Sequence, residues 1–470
     1  MGLIPHKLSF IPMNFSSWGS SPLSASLIAS IGGFLMGYDA SIMATTQWYF
    51  TQYFNLSPSQ QGWALSSAGY GCFLGAISAG YLTTAISRKF TLMLAGLMFL
   101  ISSIGTGAAD SLNELASYRI ILGLGIGMIA TTAPMYIAEI SPSNIRGRMV
   151  TFHQLAMVIG FLFPFIISLT VNALSAQGFN WVDYGWRMML WSALIPTLVF
   201  IGLLFRVPHS PRWLMLRGRR EQAKAVITQL TANTHQVESE LNEIEDSLSE
   251  TSMPAAKLLF RKGLILALFV GIMLALFQQS TGIVAVLIYS ADIFKQALDY
   301  GPEEALKPQL WVGVVNVLFT LVAIKTIDSW GRKPLLLLGT AGMFIGLMAL
   351  GLAIYTQHTG MISVVGVMIF VGSFAMSMGP VVWVMLAEIF PNNVRGLAMS
   401  IVIGIQCLAS ALVTNGFPIL NKSRLNIEGF NGALPYFIFA LICVLAILFV
   451  CWRVPETKGK TLEQMEKLWN

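Results

Sequence analysis

Asp39 stands in "GFLMGYDASIM" (33–43), a run that is otherwise almost wholly apolar, and Arg119 stands in "ELASYRIILGLG" (114–125). An ionised carboxylate or guanidinium in such surroundings is expensive unless it is paired. If the two meet, they form either a static lock between two helices or a proton switch. In the switch, the carboxylate stays ionised while the arginine is near. It takes a proton when the partner moves away, because burial disfavours its charged form.

A second set of residues is polar but uncharged. Gln278 and Gln279 open "QQSTGI" (278–283), Asn316 and Gln406 lie inside other apolar runs, and Trp383 follows the Gly379-Pro380 pair. An amide offers a donor and an acceptor to a hydroxyl, and an indole face can stack on the apolar face of a ring. Amides also bond helices to one another in membranes, and residue type alone leaves both readings open. No catalytic nucleophile, metal cluster or nucleotide loop is evident, so neither an enzyme nor a cofactor is expected. "GLGIGM" (123–128) lacks the spacing and the preceding strand of a dinucleotide fingerprint. Its glycines, with Gly69, Gly71, Gly75 and Gly80, read as close helix contacts.

The elements that must carry these residues follow from composition. The chain has 470 residues, 55% hydrophobic and only 11% charged, against about 25% charged in soluble domains. Mean hydropathy is +0.69. Apolar stretches near the length of a membrane-spanning helix recur throughout. Twelve are expected: 24–45, 61–86, 90–110, 112–136, 151–172, 187–207, 263–292, 308–328, 334–356, 361–388, 396–418 and 433–453. The fold class is therefore all-α and polytopic. Between spans six and seven, "REQAKAVITQL" and "VESELNEIEDSLSE" read as amphipathic helices lying in water.

With the N-terminus inside, most of the 28 lysines and arginines fall on the inner side, and the outer loops receive only Lys295, Lys307, Lys422 and Arg424. This bias puts both termini and the central loop in the cytoplasm. It also accounts for the net charge of +6 without nucleic acid. No cleaved signal peptide is expected. The four cysteines all lie in apolar stretches and read as packing residues rather than a disulfide framework. In this topology Asp39 and Arg119 each lie roughly 10 Å below the outer boundary, at one depth.

The chain repeats itself. "AEISPSNIRGR" (138–148) returns as "AEIFPNNVRGL" (387–397), "ISRK" (86–89) as "WGRK" (330–333), and "VPHSPR" (207–212) as "VPETKG" (454–459). The three matches share nearly one offset, so two homologous halves are expected, 1–207 and 263–470, joined by a linker at 208–262. That is the plan of major facilitator carriers. Each repeat sets a carboxylate at a helix end near arginines: Glu139 with Arg146 and Arg148, Glu388 with Arg395, Asp328 with Arg332. These charges serve topology, or they close the inner side as a gate. A two-state closure is what a carrier needs.

"PHSPRWL" (208–214), "PETKGKTLEQME" (455–466), "QQSTGI", "GPVVWVMLAEIFPNNVRG" (379–396) and "RIILGLGIGM" (119–128) together resemble the sugar porter family of that superfamily, over nearly the whole chain. The resemblance implies alternating-access transport of a monosaccharide or polyol, with sugar contacts at Gln278, Gln279, Asn316, Trp383 and Gln406. It implies a proton symporter in the cell membrane, because proton symporters of the family carry aspartate and arginine at the positions of Asp39 and Arg119. The partners implied are a sugar or polyol, protons and the bilayer, and a monomer suffices. An uncoupled facilitator, or a sugar sensor, is the alternative. Four departures stand out. Val284 replaces a sugar-contacting asparagine, and Phe161 stands where close relatives often have a glutamine. The positions Thr84, Ala85, Ile86, Ser87, Arg88 and Lys89 lack an acid, an arginine and the glycine of the usual loop, and His209 stands in place of a glutamate. The first-half gate is therefore expected to be weaker than usual.

Overall fold

The computed structural model describes residues 21–141, 146–175, 184–230, 237–239, 241–242, 244–245, 259, 262–290, 293–294, 306–390 and 392–458. All regular structure among them is helical. The long helices are α1 (Pro22–Tyr53), α2 (Pro58–Ala85), α3 (Arg88–Ala108), α4 (Leu112–Ile140), α5 (Arg146–Ser175) and α6 (Trp186–Leu204). They continue with α7 (Gly263–Ile288), α8 (Leu306–Trp330), α9 (Arg332–Tyr355), α10 (Met361–Leu386), α11 (Asn392–Asn421) and α12 (Leu434–Arg453). Eleven of these contain a stretch long and apolar enough to cross a membrane. The remaining one, α2, is 28 residues long but dilutes its apolar side chains with glycine and serine.

Helix starts follow local chemistry. Ser21 and Ser57 each close a capping box, with proline at the first turn, and Ser111 caps α4 through Glu114 N. Each satisfies a backbone N–H that would otherwise be orphaned.

Small residues set the packing. A Cβ added at Gly71, Gly75, Gly123 or Gly127 would come within 2.0–2.2 Å of a carbonyl on the facing helix, so α2 and α4 touch backbone to backbone. Gly69 and Gly80 instead face Ala411 and Ser400 of α11. Helix α2 packs on α11, and α5 packs on α8. These contacts join the first six helices to the last six. Cys72 of α2 and Cys407 of α11 meet with Cα atoms 5.7 Å apart. They are 335 positions apart, and nothing local in the chain sets two such helices face to face. Cys443 is a free, buried thiol, and Cys451 is free and exposed.

Between α6 and α7, Pro211–Leu216 and Arg220–Leu230 are helical, as the amphipathic pattern of 220–230 predicts. Ala223 and Ile227 close over Trp213, Leu214, Val237 and Leu241 in a core of their own.

Candidate functional site

Helices α7 and α10 are both broken, and the breaks meet. In α7, Gly282 takes φ +85°, and a Cβ there would meet the Phe439 ring at 2.4 Å. Only glycine tolerates both constraints. In α10 the helical path is interrupted at Ser377, just before Gly379-Pro380. Proline there can neither donate to the helix nor fit the preceding turn. Gln278 Nε2 donates to the carbonyls of Met378 and Gly379 at 2.7 and 3.3 Å, tying the two breaks together. Gln278 Oε1 in turn accepts from Gln279 Nε2 at 3.5 Å and from Gln406 Nε2 on α11. The breaks thus hold three amides in one network.

These residues line a central cavity of about 290 Å³, near the lower end of the range for small-molecule sites, about 300–1,000 Å³. Asn316 of α8, Trp383 of α10 and Phe161 of α5 line it as well, and so do Asp39, Arg119 and Val284. The five residues that the resemblance marks as sugar contacts are therefore brought together with Phe161. The oxygens Gln279 Oε1 and Gln406 Oε1 are buried without a partner. An unmet buried acceptor is costly, and a ligand hydroxyl would satisfy it. The wall is mainly apolar, with a few convergent polar groups. The sequence reading missed Gln154, Ser410 and Thr414, which line the same cavity. Gln154 carries the same signal as Gln278, an amide within an apolar helix. Ser410 and Thr414 carry none, since hydroxyls recur throughout such helices.

Arg119 Nη1 donates to Asp39 Oδ1 at 3.1 Å, with side chains 4% and 14% exposed. The common depth inferred from the sequence thus brings them into contact. No metal-binding cluster of His, Cys, Asp or Glu occurs among the described residues.

One end of the bundle carries the repeated charged motifs. Here the described ion pairs include partners that the sequence reading did not name. Glu139 is paired by Arg88 at 2.8 Å, and Glu388 by Arg332 at 2.8 Å. Arg88 is the arginine that the degraded loop retained. Arg395 Nε donates to the Phe390 carbonyl at 3.2 Å. The side chains of Arg146, Arg148 and Asp328 lie outside the described residues. Glu139 also accepts from Ser210, and Glu388 from Thr457.

The broken helices around a central cavity, within a bundle of membrane-spanning length, define a multi-pass transport protein rather than an enzyme. Residues 25–469 match the family model described as sugar (and other) transporter, and the chain belongs to that family of the major facilitator superfamily. It is 39% identical to a D-xylose-proton symporter of Escherichia coli, with 97% of each chain covered. It is 32% identical to a glucose facilitated diffusion protein of Zymomonas mobilis, over 94% of this chain and 96% of that one. Among solved structures, the proton:xylose symporter XylE bound to 6-bromo-6-deoxy-D-glucose superposes with a TM-score of 0.84 at 37% identity. That match covers 97% of this chain and all of the other.

Proposed function

We propose that this sugar transporter is a proton-coupled symporter that imports a monosaccharide or a related polyol or cyclitol by alternating access. The observation that carries the reading is that Asp39 and Arg119 line the same cavity as the amides and Trp383. A carboxylate there can exchange its arginine for a proton as the helices move. The relative named as a D-xylose-proton symporter supports coupling. An uncoupled facilitator is the second reading, favoured by the relative named as a facilitated diffusion protein. In this proposal, Gln278, Gln279, Asn316, Trp383, Gln406 and Phe161 contact the substrate. With Val284 and Phe161 in place of amides, the site does not demand every hydroxyl of a hexose, because a pocket without a partner for a hydroxyl does not reject a ligand lacking it.

The charged end faces the cytoplasm, with both termini on that side of the cell membrane. The halves 1–207 and 263–470 rock about the cavity, joined by 208–262, in a monomer. Glu139, Arg146, Arg148, Asp328, Arg332, Glu388 and Arg395 form the inner gate.

The test is transport in proteoliposomes with a panel of sugars and polyols. Asp39→Asn should abolish proton-driven accumulation yet keep binding and exchange. Gln279→Ala and Trp383→Ala should weaken binding about tenfold or more, the loss of one or two good contacts. Accumulation by Asp39→Asn at the parental level would show that Asp39 is not the coupling site, no proton-driven accumulation by the parent would favour the facilitator, and parental binding by both cavity variants would place the substrate elsewhere.

A further inference from the structure

Asp39 and Arg119 also line a second, much smaller chamber of about 20 Å³. Its walls come from α1 (Leu35, Tyr38, Ile42), α3 (Phe99, Ser102, Ser103, Thr106), α4 (Leu122) and α6 (Leu190, Ala193). No residue of α3 or α6 lines the central cavity. The ion pair is thus a partition, with the substrate cavity on one side and this chamber on the other.

The chamber has room for one water, which needs about 10–15 Å³ measured in this way. Two polar atoms of its lining residues, Ser102 Oγ and Arg119 Nε, are fully buried and without a partner. Arg119 Nε can only donate, whereas the Ser102 hydroxyl can accept as well as donate. A single water accepting from Arg119 Nε and donating to Ser102 Oγ would satisfy both. The nearby hydroxyls are already engaged: Thr106 Oγ1 donates to the Ser102 carbonyl at 2.8 Å, and Tyr38 Oη bonds Ser192 Oγ at 2.6 Å. A cation does not fit, because the guanidinium in the wall repels it.

We propose that this chamber is a one-water site that holds Arg119 from the side opposite Asp39, and that Ser102 is a positioning residue for the pair. The inference rests on the reading of Asp39 as the proton carrier. When Asp39 takes a proton, Arg119 loses its counter-charge, and a lone buried cation is expensive. The water and Ser102 give that cation a second hold, which makes the protonated state easier to reach. Among the described residues, Arg119 and Tyr38 are the other titratable side chains lining the chamber. Cys72 and Cys407 are the further ones lining the central cavity.

The experiment is an infrared titration of the carboxyl band of Asp39 in the purified full chain, assigned by difference against Asp39→Asn. Ser102→Ala removes the acceptor, and Ala193→Leu fills the chamber. Each should move the midpoint of protonation about one pH unit toward acid, a tenfold loss of proton affinity. Ser102→Thr should keep the parental midpoint. Sugar affinity should stay parental in all three, since neither position lines the central cavity. Parental midpoints in both Ser102→Ala and Ala193→Leu would overturn the proposal, as would loss of sugar binding in both. Failure of the reading of Asp39 as proton carrier shows separately, as proton-driven accumulation by Asp39→Asn at the parental level; the carboxyl titration reports Asp39 whether or not transport is coupled through it.

Discussion

The two charged corners of the bundle are built from repeated sequence, and most of their bonds coincide. Arg88 and Arg332 each pair a glutamate at the end of a helix, and each also donates to a carbonyl five residues back, of Thr83 and Ile327. Lys89 Nζ reaches the Phe205 carbonyl at 3.0 Å, and Lys333 Nζ reaches the Cys451 carbonyl at 2.9 Å. A hydroxyl, Ser210 or Thr457, completes each glutamate. The corners part at the start of the following helix. In the second, Gly331 takes φ +97°, and the Glu456 carboxylate accepts from the N–H groups of Arg332 and Lys333 at 3.0 and 2.9 Å. In the first, Ser87 takes the same φ of +98°, and its own hydroxyl accepts from Phe90 N at 3.3 Å. His209 occupies the place of Glu456 and stacks on Trp213, with ring centroids 5.4 Å apart.

The difference shows how a degraded motif is repaired. A histidine hemmed in by cations cannot cap a helix start as a carboxylate does. Serine supplies a cap from within the chain, at the cost of a backbone conformation that favours glycine, on the order of 1–3 kcal/mol. Burial pushes the Glu456 carboxyl up, but four backbone N–H bonds outweigh it and hold the group below its ordinary range. Burial, then Lys89 and Arg219, push His209 below the usual imidazole range. The weak point of the first corner is therefore the helix cap, not the ion pair, which is intact.

The largest test removes the shared element. Glu139→Gln leaves Arg88 buried without its carboxylate, which should cost about 3–5 kcal/mol. Glu388→Gln should cost less, because that side chain is 28% exposed against 11% for Glu139. Thermal unfolding in detergent should rank the two in that order, and the reverse order would mean that burial does not govern these pairs.

Next comes the cap. Glu456→Ala should cost about 1–2 kcal/mol, while His209→Glu should stabilise the first corner by about 1 kcal/mol. A fall in unfolding temperature for His209→Glu would show that the corners are not equivalent.

Acid should separate the corners as well. A depressed imidazole stays neutral in the folded chain while the unfolded chain takes a proton, so stability at His209 falls as pH drops below about 6.5. The Glu456 contribution persists until pH falls through its own lower range. His209→Gln should flatten the unfolding temperature between pH 7 and 5; an unchanged slope would assign it to other groups.

The smallest effect belongs to Ser87→Gly. Relief of strain and loss of the cap oppose each other, so the single variant should lie within about 1 kcal/mol of the parent. In a His209→Glu background the cap is supplied from elsewhere, and Ser87→Gly should then stabilise. Equal effects in both backgrounds would uncouple the two positions.

Helical class, span positions, the internal repeat and the common depth of Asp39 and Arg119 were legible along the chain, because each is written in local apolar length and helical rise. The cavity set was legible through the family resemblance, since an amide inside an apolar helix serves packing as well as binding, and Gln154 with the same signal was missed. Partners were less so. Arg88 as a partner of Glu139 went unnamed, since helix ends meet through the packing of α3 against α4 and not through closeness in sequence. The Cys72–Cys407 contact depends on α2 crossing α11, and the chamber behind Asp39 on four helices failing to fill one small volume. Hydropathy and spacing report how a residue suits its surroundings. Which residue it meets is decided only when the helices pack, because contact is a property of two surfaces and each stretch of sequence describes one.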